Sequence, residues 1–160
     1  MKRNNYLSWD QYFMSIASLS GLRSKDPVTQ VGACLINQEK RIIGIGYNGF
    51  PQGISDDEFP WDNKNQDHNK TKYPYVVHAE ANAILNATSP LRGSTIYVTL
   101  FPCSECMKLI IQSGIKEIVY SSNKYKDSLD HEASLKMLKA VNVKCRKVKQ
   151  EKVTIDEKQG

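Results

Sequence analysis

The feature that most restricts how this chain can fold is a pair of segments, VVHAEANAIL (76–85) and LFPCSECMKLII (100–111). Each sets metal-ligating side chains at the start of an apolar helical run. His78 and Glu80 stand among Val76, Val77, Ala81, Ile84 and Leu85, where an ionisable group costs free energy unless it has a partner. Alone, that segment reads as an ordinary helix start, since a first-turn Glu favours the dipole. Cys103 and Cys106 sit at i and i+3, so both sulfurs face the same side of a first turn. There the unpaired N–H groups favour thiolate over thiol, and thiolates with an imidazole suit zinc. If His78 joins the two cysteines, two helix N-termini must lie side by side, with a fourth coordination position left for water. A redox pair is the rival reading of any C-x-x-C, but PCSEC matches a thioredoxin-like helix poorly. A closed structural site would want a fourth protein ligand, and His68, His131, Cys34 and Cys145 stand at no recognisable spacing. Glu80 is not a ligand in this arrangement. Alternate residues of a regular helix point about 200° apart, so His78 and Glu80 must occupy its irregular start.

Around these segments the periodicity is that of an α/β protein. Ser8 with Gln11 forms a capping box for a helix whose buried face carries Trp9, Phe13, Ile16 and Ser20, with Gly21 as its stop. Residues 31–36 and 41–47 are strand-like and joined by NQEK, a hairpin connection. A polar stretch over 48–72 is long enough to be functional, and Phe50, Phe59 and Trp61 indicate that it packs. A helix over 78–87 follows, then a strand over 94–100. Pro102 opens a helix at its first position, running to Ser113 with Gly114 as its cap. A strand over 116–121, a helix over 130–140 and a strand over 142–148 complete the chain. The alternation in the second half requires parallel strands and right-handed crossovers. The expected architecture is a three-layer α-β-α sandwich around a mixed five-stranded sheet. One domain spans 1–160, with its core over about 7–150 and a tail at 151–160.

Other classes fit less well. The formal net charge is +5, but the late lysines are countered by Glu151, Asp156 and Glu157 and are not interleaved with aromatics, so no nucleic-acid surface is expected. The opening MKRNNYLSWD has no apolar run, and no stretch is long enough to cross a membrane, which points to a cytoplasmic protein. Cys34 and Cys145 read as small core residues rather than disulfide partners.

H-x-E followed by P-C-x-x-C is the pairing found in zinc deaminases that act on cytosine or adenine. Beyond it, RSKDPVTQVGACLI, IIGIGYNGFPQGISDD, TKYPYVVHAEANAI and LFPCSECMKLIIQSGIKEIVY resemble the deoxycytidylate deaminases of the zinc-dependent cytidine/deoxycytidylate deaminase family. The likeness runs from residue 7 to 125 and thins after 130. It implies a cytidine deaminase-like fold and hydrolysis of deoxycytidylate (dCMP) to dUMP and ammonia, feeding thymidylate synthesis. It also implies a homohexamer activated by dCTP and inhibited by dTTP, with Mg²⁺ accompanying these triphosphates.

In such an enzyme, zinc held by His78, Cys103 and Cys106 makes hydroxide available at neutral pH for attack on C4 of the cytosine. Glu80 takes the proton, passes it to N3 and protonates the departing amine. Two thiolates formally neutralise the metal, so much of the activation falls to Glu80. The resemblance further implies substrate contacts from Asn48 and Ala79, and phosphate contacts from Arg23, Ser24 and Lys25 or from Lys124 and Tyr125. An effector site would lie around Gly49, Phe50, Gly53, Asp56 and Asp57. The second structural zinc of some relatives is not expected, because the long insertion has His68 and no cysteine. Rival readings are a deaminase of free cytidine, guanine or tRNA adenosine, and a zinc-stabilised nucleotide sensor without turnover.

Overall fold

A computed structural model describes residues 1–156, so Glu157 and the end of the 151–160 tail lie outside the described residues. The expected elements form in the expected order. Helix α1 (Trp9–Gly21) is followed by strands β1 (Gly32–Ile36) and β2 (Ile42–Tyr47). Helix α2 (Ala79–Leu85), β3 (Thr95–Leu100), α3 (Ser104–Gln112), β4 (Glu117–Ser122), α4 (Leu129–Ala140) and β5 (Lys144–Lys147) complete the chain. The sheet order is β2-β1-β3-β4-β5. β1 runs antiparallel to β2 and β3, and β3, β4 and β5 are mutually parallel. No helix among the described residues is long and apolar enough to cross a membrane.

Strict alternation along the central strands divides the core into two layers. Ala33, Leu35, Ile96, Val98 and Ile118 point to the side covered by α2 and α3, against Ala79, Ala83, Met107 and Ile110. Cys34, Ile36, Tyr97 and Val119 point the other way, against Phe13, Met14 and Ala17 of α1. Cys34 is therefore the small core residue its sequence context indicated. The capping box is present: the Ser8 side chain accepts from the Gln11 N–H, and the Gln11 side chain accepts from the Ser8 N–H. Arg146 of β5 bridges Asp10 of α1 and Glu117 of β4, which ties the last strand to the first helix.

Three local expectations are corrected. Trp9 is 55% exposed, because the buried stripe of α1 runs through Phe13, Met14, Ala17 and Ser20; Trp9 only stacks on the rim of Phe13. Cys145 is exposed, because β5 is an edge strand whose four residues all face solvent. Pro102 does not open α3. Phe101 still donates to the Ser122 carbonyl, so the chain remains sheet-paired there, and Cys103 rather than Pro102 borders the helix as its N-cap. At the far end Gly114 takes φ 83° as expected for the residue past a helix.

Close approach of α2 to the sheet depends on Gly46. A Cβ there would stand 2.2 Å from the Ala79 carbonyl oxygen and 2.4 Å from the Ala83 nitrogen, both backbone atoms that cannot swing aside. Gly46→Ala should cost about 3 kcal/mol of stability, at the upper end for overpacking. Because His78 is the N-cap of α2, the shift should also weaken zinc binding. Urea unfolding and zinc titration measure both, and an unchanged unfolding midpoint would show that the two layers can separate freely.

Candidate metal centre and active site

Both half-motifs occupy helix starts. His78 is the N-cap of α2 with φ −72° and ψ 157°, and Cys103 is the N-cap of α3 with φ −66° and ψ 168°. Neither side chain caps its own helix, so imidazole and thiol are free for another partner. His78 is held in extended backbone by a reciprocal pair of hydrogen bonds just upstream. The Gly49 and Val77 N–H groups donate to each other's carbonyls at 3.1 and 2.8 Å. The extended N-cap is what lets His78 and Glu80 reach one place from different sides, as the sequence argument required.

His78 Nδ1 lies 3.3 Å from Cys103 Sγ and 3.4 Å from Cys106 Sγ. The three ligand atoms all lie within 4.8 Å of one another, the one such group among the described residues. A tetrahedral zinc with ordinary bond lengths sets N and S ligands about 3.6 Å apart, so the cluster fits the metal with little adjustment. The alternative fourth ligands stand elsewhere: Cys34 points into the α1 layer, Cys145 lies on the edge strand, and His68 starts a short 3-10 helix. His131 packs edge-on against Phe101 at 4.5 Å.

Without metal the cluster shares its protons unevenly. A hydrogen bond from the Cys106 thiol, reinforced by His78, brings Cys103 down to about 4. The same hydrogen bond and burial push the Cys106 thiol up. The Cys103 thiolate raises His78. Glu80 is 4% exposed, and burial pushes its carboxyl up against the lowering influence of its own backbone N–H and of His78. That carboxyl lines the same cavity as His78 and Cys103, beside the ligand cluster. Asp130 of α4 supplies the cap that Cys103 does not, accepting from the Ser104 N–H at 3.0 Å and from the Ser104 hydroxyl at 2.5 Å.

A cavity of about 260 Å³ opens onto His78, Glu80 and Cys103. Of the residues expected from sequence to contact substrate, Asn48, Ala79 and Tyr125 line it. The Asn48 side chain is fully directed: Oδ1 accepts from the Val31 N–H, and Nδ2 donates to the Thr29 carbonyl and Asp26. Lys124 stands at the rim, donating to the Thr29 hydroxyl at 3.1 Å. Arg23, Ser24 and Lys25 are not among the lining residues. Arg23 lies over the Tyr47 ring, Ser24 donates to the Asn48 carbonyl, and Lys25 is paired with Asp56.

The segment considered for effectors is packed: Phe50 sits 4.1 Å from Trp61, and Asp56 accepts from the Trp61 indole through its carbonyl. Gly49 pairs with Val77, Gly53 takes φ 91°, and the Asp57 N–H donates to Ser55. Sequence reasoning missed Asp26, Lys72 and Asp130, which also line the cavity. Of these, Asp26 and Lys72 lay in segments the family likeness had marked, RSKDPVTQVGACLI and TKYPYVVHAEANAI, and Asp130 did not.

A metal-ready His/Cys/Cys set with a buried carboxyl beside it, at the carboxyl end of β3 in an α/β sandwich, defines a metal-dependent hydrolytic site. Residues 7–122 match the cytidine and deoxycytidylate deaminase zinc-binding region, and the chain belongs to that family. Within the family its likeness is to deoxycytidylate deaminases. Those of Mus musculus and Homo sapiens are each 52% identical over 158 residues, covering 97% of this chain and 89% of theirs. The crystal structure of the cyanophage S-TIM5 dCMP deaminase in complex with dCMP and dUMP superposes with a TM-score of 0.68 at 25% identity. That match covers 89% of this chain and 100% of the phage protein. The sequence resemblance and the cytidine deaminase-like fold it implied both hold.

Proposed function

We propose that the protein hydrolyses dCMP to dUMP and ammonia with zinc held by His78, Cys103 and Cys106. The observation that carries the chemistry is the buried Glu80 carboxyl beside the ligand cluster, which a purely structural metal site would not need. The likeness to the mouse and human deoxycytidylate deaminases supports the substrate. Zinc, when bound, supplies the Lewis acidity that makes water a nucleophile at neutral pH. Glu80 would receive one proton of that water on a carboxylate oxygen and deliver it to N3 of the cytosine. It would then take the second proton, from the hydroxyl now on C4, and pass it to the amine as the C4–N bond breaks. A carboxyl raised by burial is suited to both accepting and donating. Ala79 and Asn48, which line the cavity, would border the base and sugar.

The same family likeness supports further elements of the reading. They are supply of dUMP for thymidylate synthesis, activation by dCTP and inhibition by dTTP with Mg²⁺, a homohexameric assembly, a cytoplasmic location, and a single deaminase domain with its core over 7–150. The effectors are assigned to the Gly49, Phe50, Gly53, Asp56 and Asp57 segment. Arg23, Ser24 and Lys25 belong to this proposal as a segment that responds to nucleotide phosphates from outside the cavity.

The test is ammonia release by zinc-loaded protein from dCMP, cytidine, dCTP and guanine, each with and without added dCTP–Mg²⁺. Turnover confined to dCMP and raised by dCTP is the expected result. Turnover of another substrate would discard the assigned specificity. Silence on all four with zinc bound would discard the deaminase reading.

A further inference from the structure

One wall of the cavity carries a charge arrangement that proton transfer at the metal ligands does not use. Lys72 and Asp26 form an ion pair at 2.5 Å whose side chains are 8% and 2% exposed. Asp26 is saturated: Oδ1 accepts from the Val28 and Thr29 N–H groups, and Oδ2 accepts from Lys72 and Asn48. Lys72 is not. An ammonium has three donors, and Asp26 is its one protein acceptor among the described residues. Lys72 is also the one Lys or Arg among the described residues lining the cavity.

Thr29 connects this pair to the rim. Its N–H donates to Asp26, and its hydroxyl accepts from Lys124, whose ammonium lies 4.9 Å from the Tyr125 ring centroid. Burial pushes the Tyr125 phenol up, but hydrogen bonding with Thr29 and Lys124 and the charges of Lys124 and Lys72 lower it overall. His78 instead feels Cys103, Glu80 and Asp130. The cavity is thus bipolar. One part holds the metal ligands with Glu80 and Asp130, and the other holds the Lys72–Asp26 pair with Thr29 and Tyr125, the Lys124 ammonium standing outside on the Thr29 hydroxyl.

We propose that Lys72, fixed by Asp26, is the specificity-determining cation that takes the 5′-phosphate of the nucleotide, with Lys124, Thr29 and Tyr125 on its outer side. This rests on the deaminase reading above. The Asp26 pairing keeps the buried ammonium neutralised before substrate arrives. It also holds the ammonium in place, so little ordering is needed on binding. A nucleoside leaves its remaining N–H donors without an acceptor, and a site built to hydrogen-bond a group rejects the analogue that lacks it.

The test compares dCMP with deoxycytidine as substrates, and dUMP with deoxyuridine as calorimetric ligands, for zinc-loaded wild type and Lys72→Gln. Because that variant strands the Asp26 carboxylate and can fail to fold, Asp26→Asn/Lys72→Gln, which replaces the ion pair by a neutral one, is measured beside it. Loss of charged hydrogen bonds should lower kcat/KM for dCMP about 30- to 100-fold. The value for deoxycytidine should move less than about threefold, and dUMP affinity should fall while that of deoxyuridine holds. Equal losses on both members of each pair would reduce the ion pair to a structural staple and overturn the proposal, as would an unchanged preference. Wild-type protein silent on dCMP would remove the deaminase reading and this role together. Wild-type turnover with an unshifted preference in the variants removes the role alone.

Discussion

Glu80→Gln should leave a folded, zinc-binding protein whose turnover of dCMP is lower by about three orders of magnitude. The amide is nearly isosteric and keeps hydrogen-bonding capacity at the second position of α2, so packing beside Ala79 and Ala83 is preserved. Glu80 is not among the three ligand atoms, so zinc content should match wild type. An amide cannot accept the water proton, and the same carboxyl is asked to move protons to N3 and to the leaving amine, so a single change removes every transfer. The carboxyl must be ionised to begin the cycle. With burial raising it in the folded protein, activity should rise with pH along a limb above the ordinary carboxylate range. Ammonia release, zinc analysis and thermal unfolding on one preparation test these points. Turnover near wild type would remove Glu80 from its role.

Much of this site was legible because its parts lie close together in the chain. H-x-E and P-C-x-x-C each sit within a few residues, and strand and helix periodicities place each at a helix start. Their meeting follows from β2 and β3, both antiparallel to β1 and so running the same way, with α2 following the one and α3 the other. The failures have a common origin in relations that no local pattern encodes. Asp26 and Lys72 pair across 46 positions, and nothing around the TKYPY segment marks its lysine as buried. Asp130 caps a helix on which it does not lie. Pro102 is a good first helical residue by preference, yet the sheet keeps hold of Phe101 and delays the helix. Cys145 sits in an alternating run, but alternation implies burial only where a layer covers the strand, and β5 is an edge. Local physics determines which elements form, and long-range pairing determines which side chains share a cavity.

Cys106→Ala should abolish zinc retention and turnover together, whereas Cys145→Ala should change neither. Cys106 is 2% exposed in the first turn of α3, and it supplies one of the three protein ligands found among the described residues. The remaining His78 and Cys103 form a two-ligand site, below the three protein ligands of catalytic zinc sites. Cys145 is exposed on the edge strand, remote from any ligand. The wild-type cluster also fixes how metal binding depends on pH. At neutral pH Cys103, brought down to about 4, is already a thiolate. Cys106, pushed up by Cys103 and burial, keeps its proton until metal displaces it. Binding therefore releases a proton, and zinc affinity should rise with pH by about tenfold per unit for each proton released. It should fall correspondingly as pH drops, with the raised His78 adding a further proton to expel on the acid side. Zinc calorimetry in buffers of different ionisation enthalpy reads the proton count directly. Binding that is independent of pH between 6 and 8, on the order of a hundredfold from the expected change for a single proton, would mean that both thiols are already ionised and His78 already neutral. Full zinc retention by Cys106→Ala would mean that the metal is held by a different set of side chains.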